Sequence, residues 1–509
     1  MQIAPDLPAF AATYGGNGKG APQVVWTTLV ADLETPVSAM LKLADGKPNS
    51  FLLESVEGGA IRGRYSFIGL RPDVVWRCRG NKADINRDAV GNPRAFSPCP
   101  VAEKSGAIAS LRALVNESRI DMPAGLPPMA SGLVGYMAYD MVRLIERLPD
   151  ANPDVIGVPD SIFLRPTVMA VFDSLKDSVT VITPVWPEPA KTAAAAYDAA
   201  RDRLAAVVRD LRRNAGPKVP EIASDVAAAK PQSNMTRDRF HWMVKKAVEY
   251  IHAGDAFQIV PSQRFRVPFQ APPFSFYRAL RRLNPSPFLF FLDFGDFCVA
   301  GSSPEILVRV RDGKITLRPL AGTRRRGATP EEDKALVAEL LADPKEIAEH
   351  LMLLDLGRND VGRVAKVGTV CVTEQFVVEY YSHVMHIASN VEGELDPRYD
   401  AIDALLAGFP AGTVSGAPKV RAMEIIDELE PERRGVYAGC IGYFGANGDM
   451  DTCIALRTAV IKDGVVYVQA GGGVVADSDP ENEYQESCNK ARALLRAAEE
   501  AAAFAADGA

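Results

Sequence analysis

The clearest signal along the chain is a change in hydrophobic period. Across residues 191–213, Tyr197, Leu204, Val207, Val208 and Leu211 share one face at helical spacing. The pattern stops at "NAGPKVP", where Gly216 and Pro217 break it. From Thr236 the same spacing returns in Phe240, Met243, Val244, Ala247, Val248 and Ile251, with Thr236 as cap and Gly254 as terminator. The period then shortens. "QIVPSQRFRV", "FLFFLDF", "EILVRV" and "KITLRPL" read as strands, the last two joined by Asp312-Gly313, a hairpin pair. Helices follow over residues 344–360, with Ile347, Leu351 and Leu354 as the apolar stripe, and from Glu481 into an alanine-rich tail. Strand runs with helices set between them predict an α+β fold with large antiparallel sheets, not regular βαβ winding. The Pro-, Ala- and Ser-rich stretch 214–234 reads as a linker between an N-terminal region, 1–213, and a C-terminal domain, 235–509.

Composition narrows the class. The 509 residues are 47% apolar and 24% charged, with no apolar run of membrane-spanning length. The first residues, "MQIAPDLPAFAATYGG", lack the basic and apolar regions of a secretory signal. Seven dispersed cysteines without a CxxC pair read as reduced thiols of a cytoplasmic protein. A net charge of −7 argues against a nucleic-acid surface and mildly against an acidic membrane face. An anionic substrate would then need local cations, a metal or backbone N–H groups.

Such groups are present. Glu483 and Glu486 stand one turn apart on the last predicted helix, with Lys490 a further turn on; by spacing alone a solvated face with an ion pair is the commoner reason for such a pattern. Glu349 lies near the edge of the apolar stripe on the 344–360 helix. If the helices meet, three carboxylates can hold a hard divalent ion such as Mg²⁺. Gly471, Gly472 and Gly473 would let backbone N–H groups approach an anion. Arg457 sits in an otherwise apolar strand and needs a counter-anion. His386 lies in a β-prone segment, where a core histidine and an acid–base group are both admissible. Glu305 opens the "EILVRV" strand.

Taken together, "LLESVEGG", "GLVGYMAYD", "RPLAGTRRRG", "EHLMLLDLGRNDVGRV", "MHIAS", "GTVSGAPKVRAMEII", "MDTCIALRTAV" and "ENEYQESCNKARA" closely resemble the chorismate-utilising enzymes, most nearly the large subunits of anthranilate synthases. The resemblance spans residues 51–495. It implies layered antiparallel sheets flanked by helices, with a chorismate and Mg²⁺ site in the C-terminal half. By motif match Glu349 and Glu486 would be metal ligands, with Glu483 beside them. Arg457 and Tyr437 would hold the enolpyruvyl carboxylate, and Gly471, Gly472 and Gly473 the ring carboxylate. Gly322, Thr323, Thr413 and Lys490 would line the rest. Glu305 matches the general acid, and His386 is the choice for proton transfer. "LLES" and "NPSPFLF" resemble a tryptophan feedback site, which would comprise Leu53, Glu54, Ser55, Pro287, Phe288 and Leu289, with Tyr443. Phe288-Leu289 stands where the family more often has Tyr-Met.

Residue chemistry then selects a reaction. Relatives that add water to ring C2 carry a lysine where this chain has Gln258, which has no titrating proton and cannot activate water. Relatives that aminate C4 use a lysine nucleophile where this chain has Ala321. Both differences point to ammonia at C2, giving anthranilate and pyruvate. No cysteine sits in a G-x-C-x-G turn (Ala438 breaks the nearest, at Cys440) and His-x-Glu is absent, so ammonia is expected from a separate glutamine amidotransferase subunit. The alternatives are aminodeoxychorismate or isochorismate synthesis, or a catalytically silent subunit that binds tryptophan.

Overall fold

Side-chain caps set where the helices begin. The computed structural model describes residues 2–15, 20–57, 61–213, 230–381 and 384–506. Thr192 accepts from the Ala195 amide to start helix Ala193–Leu211, and Thr236 from Arg239 to start Arg237–His252, with Gly254 beyond it at φ +87°. Asp343 accepts from the Lys345 and Glu346 amides and opens helix Pro344–Gly362. In that helix the buried face is His350, Leu353, Leu354, Gly357 and Val361, while Leu351 is 49% exposed. The apolar stripe was expected to include Leu351. Instead the His350 ring occupies the core, bonded by Nε2 to Ser389 Oγ at 2.7 Å and by Nδ1 to the Ala321 carbonyl at 3.2 Å, and the helix is rotated accordingly.

Strands Ile306–Arg311 and Lys314–Leu317 meet at Asp312-Gly313, both at positive φ, as the turn pair requires. "QIVPSQRFRV" is two strands, not one. Pro261 has no N–H to give a ladder, so Gln258–Ile259 pairs with Gly416–Ala417 and Ser262–Pro268 pairs with Val465–Gly471. Most of the linker stretch, 214–229, lies outside the described residues. Beyond it, Gln232–Ser233 pairs with Phe265 and Arg266.

Twenty-one strands of the described residues form one continuous antiparallel network, folded into two layers. One layer includes Ser50–Glu54, Phe288–Asp293, Phe297–Ser303, Thr458–Lys462 and Val465–Gly471. The other includes Gly132–Met137, Cys440–Gly445, Met450–Ile454, Ile306–Arg311 and Val384–Glu394. The long strands Tyr65–Arg79 and Ser161–Asp173 run through both, their register shifting between Pro72 and Val74. Between the layers lies a core that includes Phe51, Tyr136, Leu164, Phe290, Val299 and Ile441. Helices cover the outer faces, Ala193–Leu211, Pro273–Leu283 and Pro480–Ala506 on one side and Pro344–Gly362, Ala401–Gly408 and Lys419–Leu429 on the other.

Two chain segments pass from one layer to the other side by side. Pro304 and Glu305 link Phe297–Ser303 to Ile306–Arg311, while residues 455–457 link Met450–Ile454 to Thr458–Lys462. Backbone bonds join the crossings, from Ile454 N–H to Glu305 at 3.0 Å and from Ser302 N–H to Arg457 at 3.1 Å. Beside them the buried Arg434 guanidinium donates to Glu430 and, at 2.6 Å each, to the Val414 and Val260 carbonyls. Glu430 also accepts from the Ser262 amide and hydroxyl. One ion pair thus ties together the segments carrying Gln258, Thr413 and Tyr437.

Arg434→Met would leave the Glu430 carboxylate buried and unpaired. It is expected to cost about 3–5 kcal/mol by urea unfolding, much of it recovered in Arg434→Met/Glu430→Leu.

Candidate active site

Glu305 sits at the first crossing, 5% exposed. The Thr413 hydroxyl reaches both its oxygens at 3.2 Å and the Leu320 N–H reaches one at 3.3 Å. No cation pairs with it among the described residues, so burial dominates and pushes its pKa up to about 8. At neutral pH this group holds a proton it can give away.

The second crossing presents Arg457 in the left-handed region, φ +48°. Its guanidinium enters no ion pair among the described residues, and burial lowers its pKa, partly offset by Tyr437 and Glu486 nearby. A desolvated guanidinium without a fixed anion is a seat for one. Tyr437, 6% exposed, takes a backbone hydrogen bond from Gly471, and its hydroxyl is pushed up by burial. His386 lies across the strand pair from Thr323, whose hydroxyl is 3.0 Å from Nδ1. Burial first and then Arg457 lower the imidazole to about 4, so it is neutral at neutral pH. The bulge between Ala321 and Thr323 needs Gly322. At φ +81° a Cβ there would meet Ile387 Cδ1 at 2.9 Å and Glu346 Oε2 at 3.3 Å.

Helices Pro344–Gly362 and Pro480–Ala506 bring the acidic side chains to the glycine run. The Gln258 amide donates to Glu349 at 2.7 Å. A Cβ on Gly473 would lie 2.5 Å from that amide nitrogen, and one on Gly472 would lie 2.8 Å from Glu483 Oε2 and 3.5 Å from Glu486 Oε1. The glycines are therefore a condition of the packing. Burial raises Glu349, with further repulsion from Glu346 and Glu486; burial likewise raises Glu483 to about 7, with repulsion from Glu486. Glu483 Oε2 is buried without a partner among the described residues. Lys490 bridges Glu486 at 2.6 Å and the Gly471 carbonyl at 3.0 Å, so the simple ion-pair reading of that helix face is also correct. Among the described residues no three acidic, histidine or cysteine side chains close into a metal cage. Mg²⁺ needs no such cage, since it keeps waters and takes substrate oxygens. An orphaned carboxylate oxygen beside two mutually repelling carboxylates suits a cation.

A second cluster lies apart. Leu53, Glu54, Ser55, Pro287, Phe288, Leu289 and Tyr443 all line one cavity of about 480 Å³. The Glu54 carboxylate is already committed to Tyr277 at 2.6 Å and to Arg281 at 2.6 and 2.8 Å. Pro304 and Ile306, the neighbours of Glu305, line the same cavity, as do Leu320 and Tyr381. The Tyr381 ring lies edge-on to His386 at 5.4 Å.

Sequence reasoning missed the Arg434–Glu430 clamp, the Leu320 N–H on Glu305 and the Ser478 hydroxyl, which donates to Glu483 at 2.8 Å. The adjacent arginines of "PERRG" were a usable cue for the first; the other two carry no signal before folding.

Comparison with known proteins shows the family. Residues 73–496 match the model of the chorismate binding enzymes. The chain is 58% identical to anthranilate synthase component 1 of Cereibacter sphaeroides, over 98% of this chain and 99% of that one. It is 50% identical to the protein of the same name from Pseudomonas aeruginosa, over 92% and 94%. The structure of anthranilate synthase component I from Streptococcus pneumoniae superposes with a TM-score of 0.75 at 40% identity, covering 85% of this chain and 92% of that one. MenF, the isochorismate synthase of Escherichia coli, shares the fold at 20% identity, with a TM-score of 0.69 over 95% and 97%. The chain belongs to the chorismate-binding enzymes and, within them, to the anthranilate synthase component I family.

The raised Glu305 pKa has a stability signature. Below pH 4.5 both folded and unfolded states hold the proton; between 4.5 and about 8 only the folded state does, so stability falls as pH rises through that window. Glu305→Gln is expected to abolish this slope. Its Tm should exceed that of the wild type by more at pH 8 than at pH 5 in calorimetry.

Proposed function

We propose that the chain is the large subunit of an anthranilate synthase. It is a Mg²⁺-dependent lyase taking chorismate and ammonia to anthranilate and pyruvate through an aminodeoxyisochorismate intermediate, and it is feedback-inhibited by tryptophan. The observation that carries this reading is Gln258. Its amide is tied to Glu349 at the position where a water-activating lysine would stand. Ammonia brings its own lone pair and needs positioning, not deprotonation.

In this reading Arg457 and Tyr437 take the enolpyruvyl carboxylate, while the glycine run Gly471, Gly472 and Gly473 lies by the ring carboxylate, with the Gly471 N–H given to Tyr437 and the Gly472 N–H to the Pro261 carbonyl at 3.3 Å. Glu349 and Glu486, with Glu483, would hold Mg²⁺, which supplies charge neutralisation at that ring carboxylate. Ammonia adds at C2 as the C4 hydroxyl departs as water, carrying the proton that Glu305 holds. His386, neutral and fixed by Thr323, then accepts a ring proton while the enolpyruvyl oxygen leaves, and the ring becomes aromatic. Thr413 keeps Glu305 in place, and Lys490 balances Glu486.

Ammonia arrives from a glutamine amidotransferase partner, as the word "component" in the relatives' names suggests. The cavity of about 480 Å³ has room for an amino acid the size of tryptophan. Because Pro304 and Ile306 form part of its wall, an occupant presses on the segment that aims Glu305. Ala321, 8% exposed and without an amine, argues against C4 amination. The intact set of Glu305, His386, Arg457 and the carboxylates argues against a silent subunit.

Gln258→Lys is expected to lower anthranilate formation from ammonium by roughly 10²-fold or more, with isochorismate appearing among the products by mass spectrometry. Unchanged amination would remove Gln258 from its role. Ser55→Phe fills the cavity and should weaken tryptophan binding about tenfold or more by calorimetry, a loss of roughly 1.4 kcal/mol. Unaltered binding would place the inhibitor elsewhere.

A further inference from the structure

Glu305 faces a difficulty once it has given up its proton. It is left as a buried anion whose hydrogen-bond partners among the described residues are the Thr413 hydroxyl and the Leu320 N–H. Against it lies a small cavity of about 30 Å³, lined by Glu305, Thr413, Gly357, Gly408, Asp360 and Arg318 with apolar side chains. That volume suits one or two waters, provided polar partners are present. Asp360, 4% exposed on helix Pro344–Gly362, supplies one. Its Oδ2 accepts from Lys419 Nζ at 2.8 Å, while its Oδ1 is buried with no partner among the described residues. Lys419, itself 8% exposed, also donates to the Gly408 carbonyl at 3.4 Å.

We propose that this cavity is a water-bearing proton passage, and that Asp360 on its wall, with Lys419 paired to it, returns the proton that Glu305 loses. A proton moves from Lys419 through Asp360 and water to the Glu305 carboxylate. The pair is left as a neutral amine beside a carboxylate and regains its proton from solvent when product leaves. Asp360 and Lys419 are positioning residues for the acid step. The inference rests on the reading of Glu305 as general acid.

The electrostatics suit the task. Burial raises Asp360 and lowers Lys419, drawing their affinities for a proton together. The charged groups facing Asp360 are Lys419 and Arg363; those facing Lys419 are Asp360, Arg363 and Glu146. Arg318, also on the cavity wall, is committed to Glu374 and Glu379. As a purely stabilising device the pair is poor, since a buried pair with half its carboxylate unmet is no better than well-packed apolar side chains.

The test uses Asp360→Asn and Asp360→Asn/Lys419→Met in the full chain, with chorismate, Mg²⁺ and ammonium. Asp360→Asn is expected to lower kcat about tenfold or more at unchanged KM for chorismate, with an enlarged solvent deuterium isotope effect. The double variant should regain thermal stability without regaining kcat. A kcat for Asp360→Asn within about twofold of wild type, or recovery of kcat together with Tm in the double variant, overturns the passage. An infrared arm is independent of turnover. The carboxyl C=O band that disappears in Glu305→Gln should shift in Asp360→Asn, and an unshifted band contradicts the proposal. A wild type that makes no anthranilate would instead sink the functional reading, leaving the infrared result to judge the passage.

Discussion

Two chain segments must leave one sheet layer and enter the other at the same place, and the rest of the site depends on that shared crossing. A strand in mid-layer has its backbone committed to neighbours and its side chains to one face or the other. At the crossing this regularity breaks. Glu305 and Arg457 lie in the gap, their backbones bonded across to Ile454 and Ser302, so an acid and a cation are fixed on a rigid frame instead of a free loop. The Arg434–Glu430 pair then gathers the neighbouring segments by their carbonyls and amides. The site therefore inherits its precision from the sandwich.

The charges around the crossing are arranged against stability. Among the described residues Glu305 is buried without a cation and Arg457 without an anion, while Glu349 and Glu483 are each raised by burial and by the neighbouring Glu486 charge. Each would be easier to bury if neutral or paired. In the proposed reading the compensating partners are a dianionic substrate and a divalent ion. The scaffold charges behave differently, since Arg434 and Glu430 satisfy each other. That contrast separates groups that support the fold from groups that wait for a ligand.

Much of this was legible in the sequence, for local reasons. Thr236 and Gly254 bound their helix because caps act over one turn, and Asp312-Gly313 turns because its φ values are intrinsic to those residues. The α+β class followed from period alone. The rotation of helix Pro344–Gly362 was not legible. His350 counts as polar in any pattern, and only its bonds to Ser389 and Ala321, distant in sequence, make it a core residue. The candidate site residues came from family motifs, not spacing; Glu483 and Glu486 alone could have been an ordinary helix face. The cavity wall linking Pro304 and Ile306 to Ser55 and Tyr443 arises from the packing of the two layers, and no stretch of sequence encodes it.

The most direct measurement is the product made by the isolated chain from chorismate, Mg²⁺ and ¹⁵N-ammonium, identified by mass and fluorescence. The account predicts ¹⁵N-anthranilate and pyruvate in equal amounts. Isochorismate, aminodeoxychorismate or unchanged chorismate would contradict it.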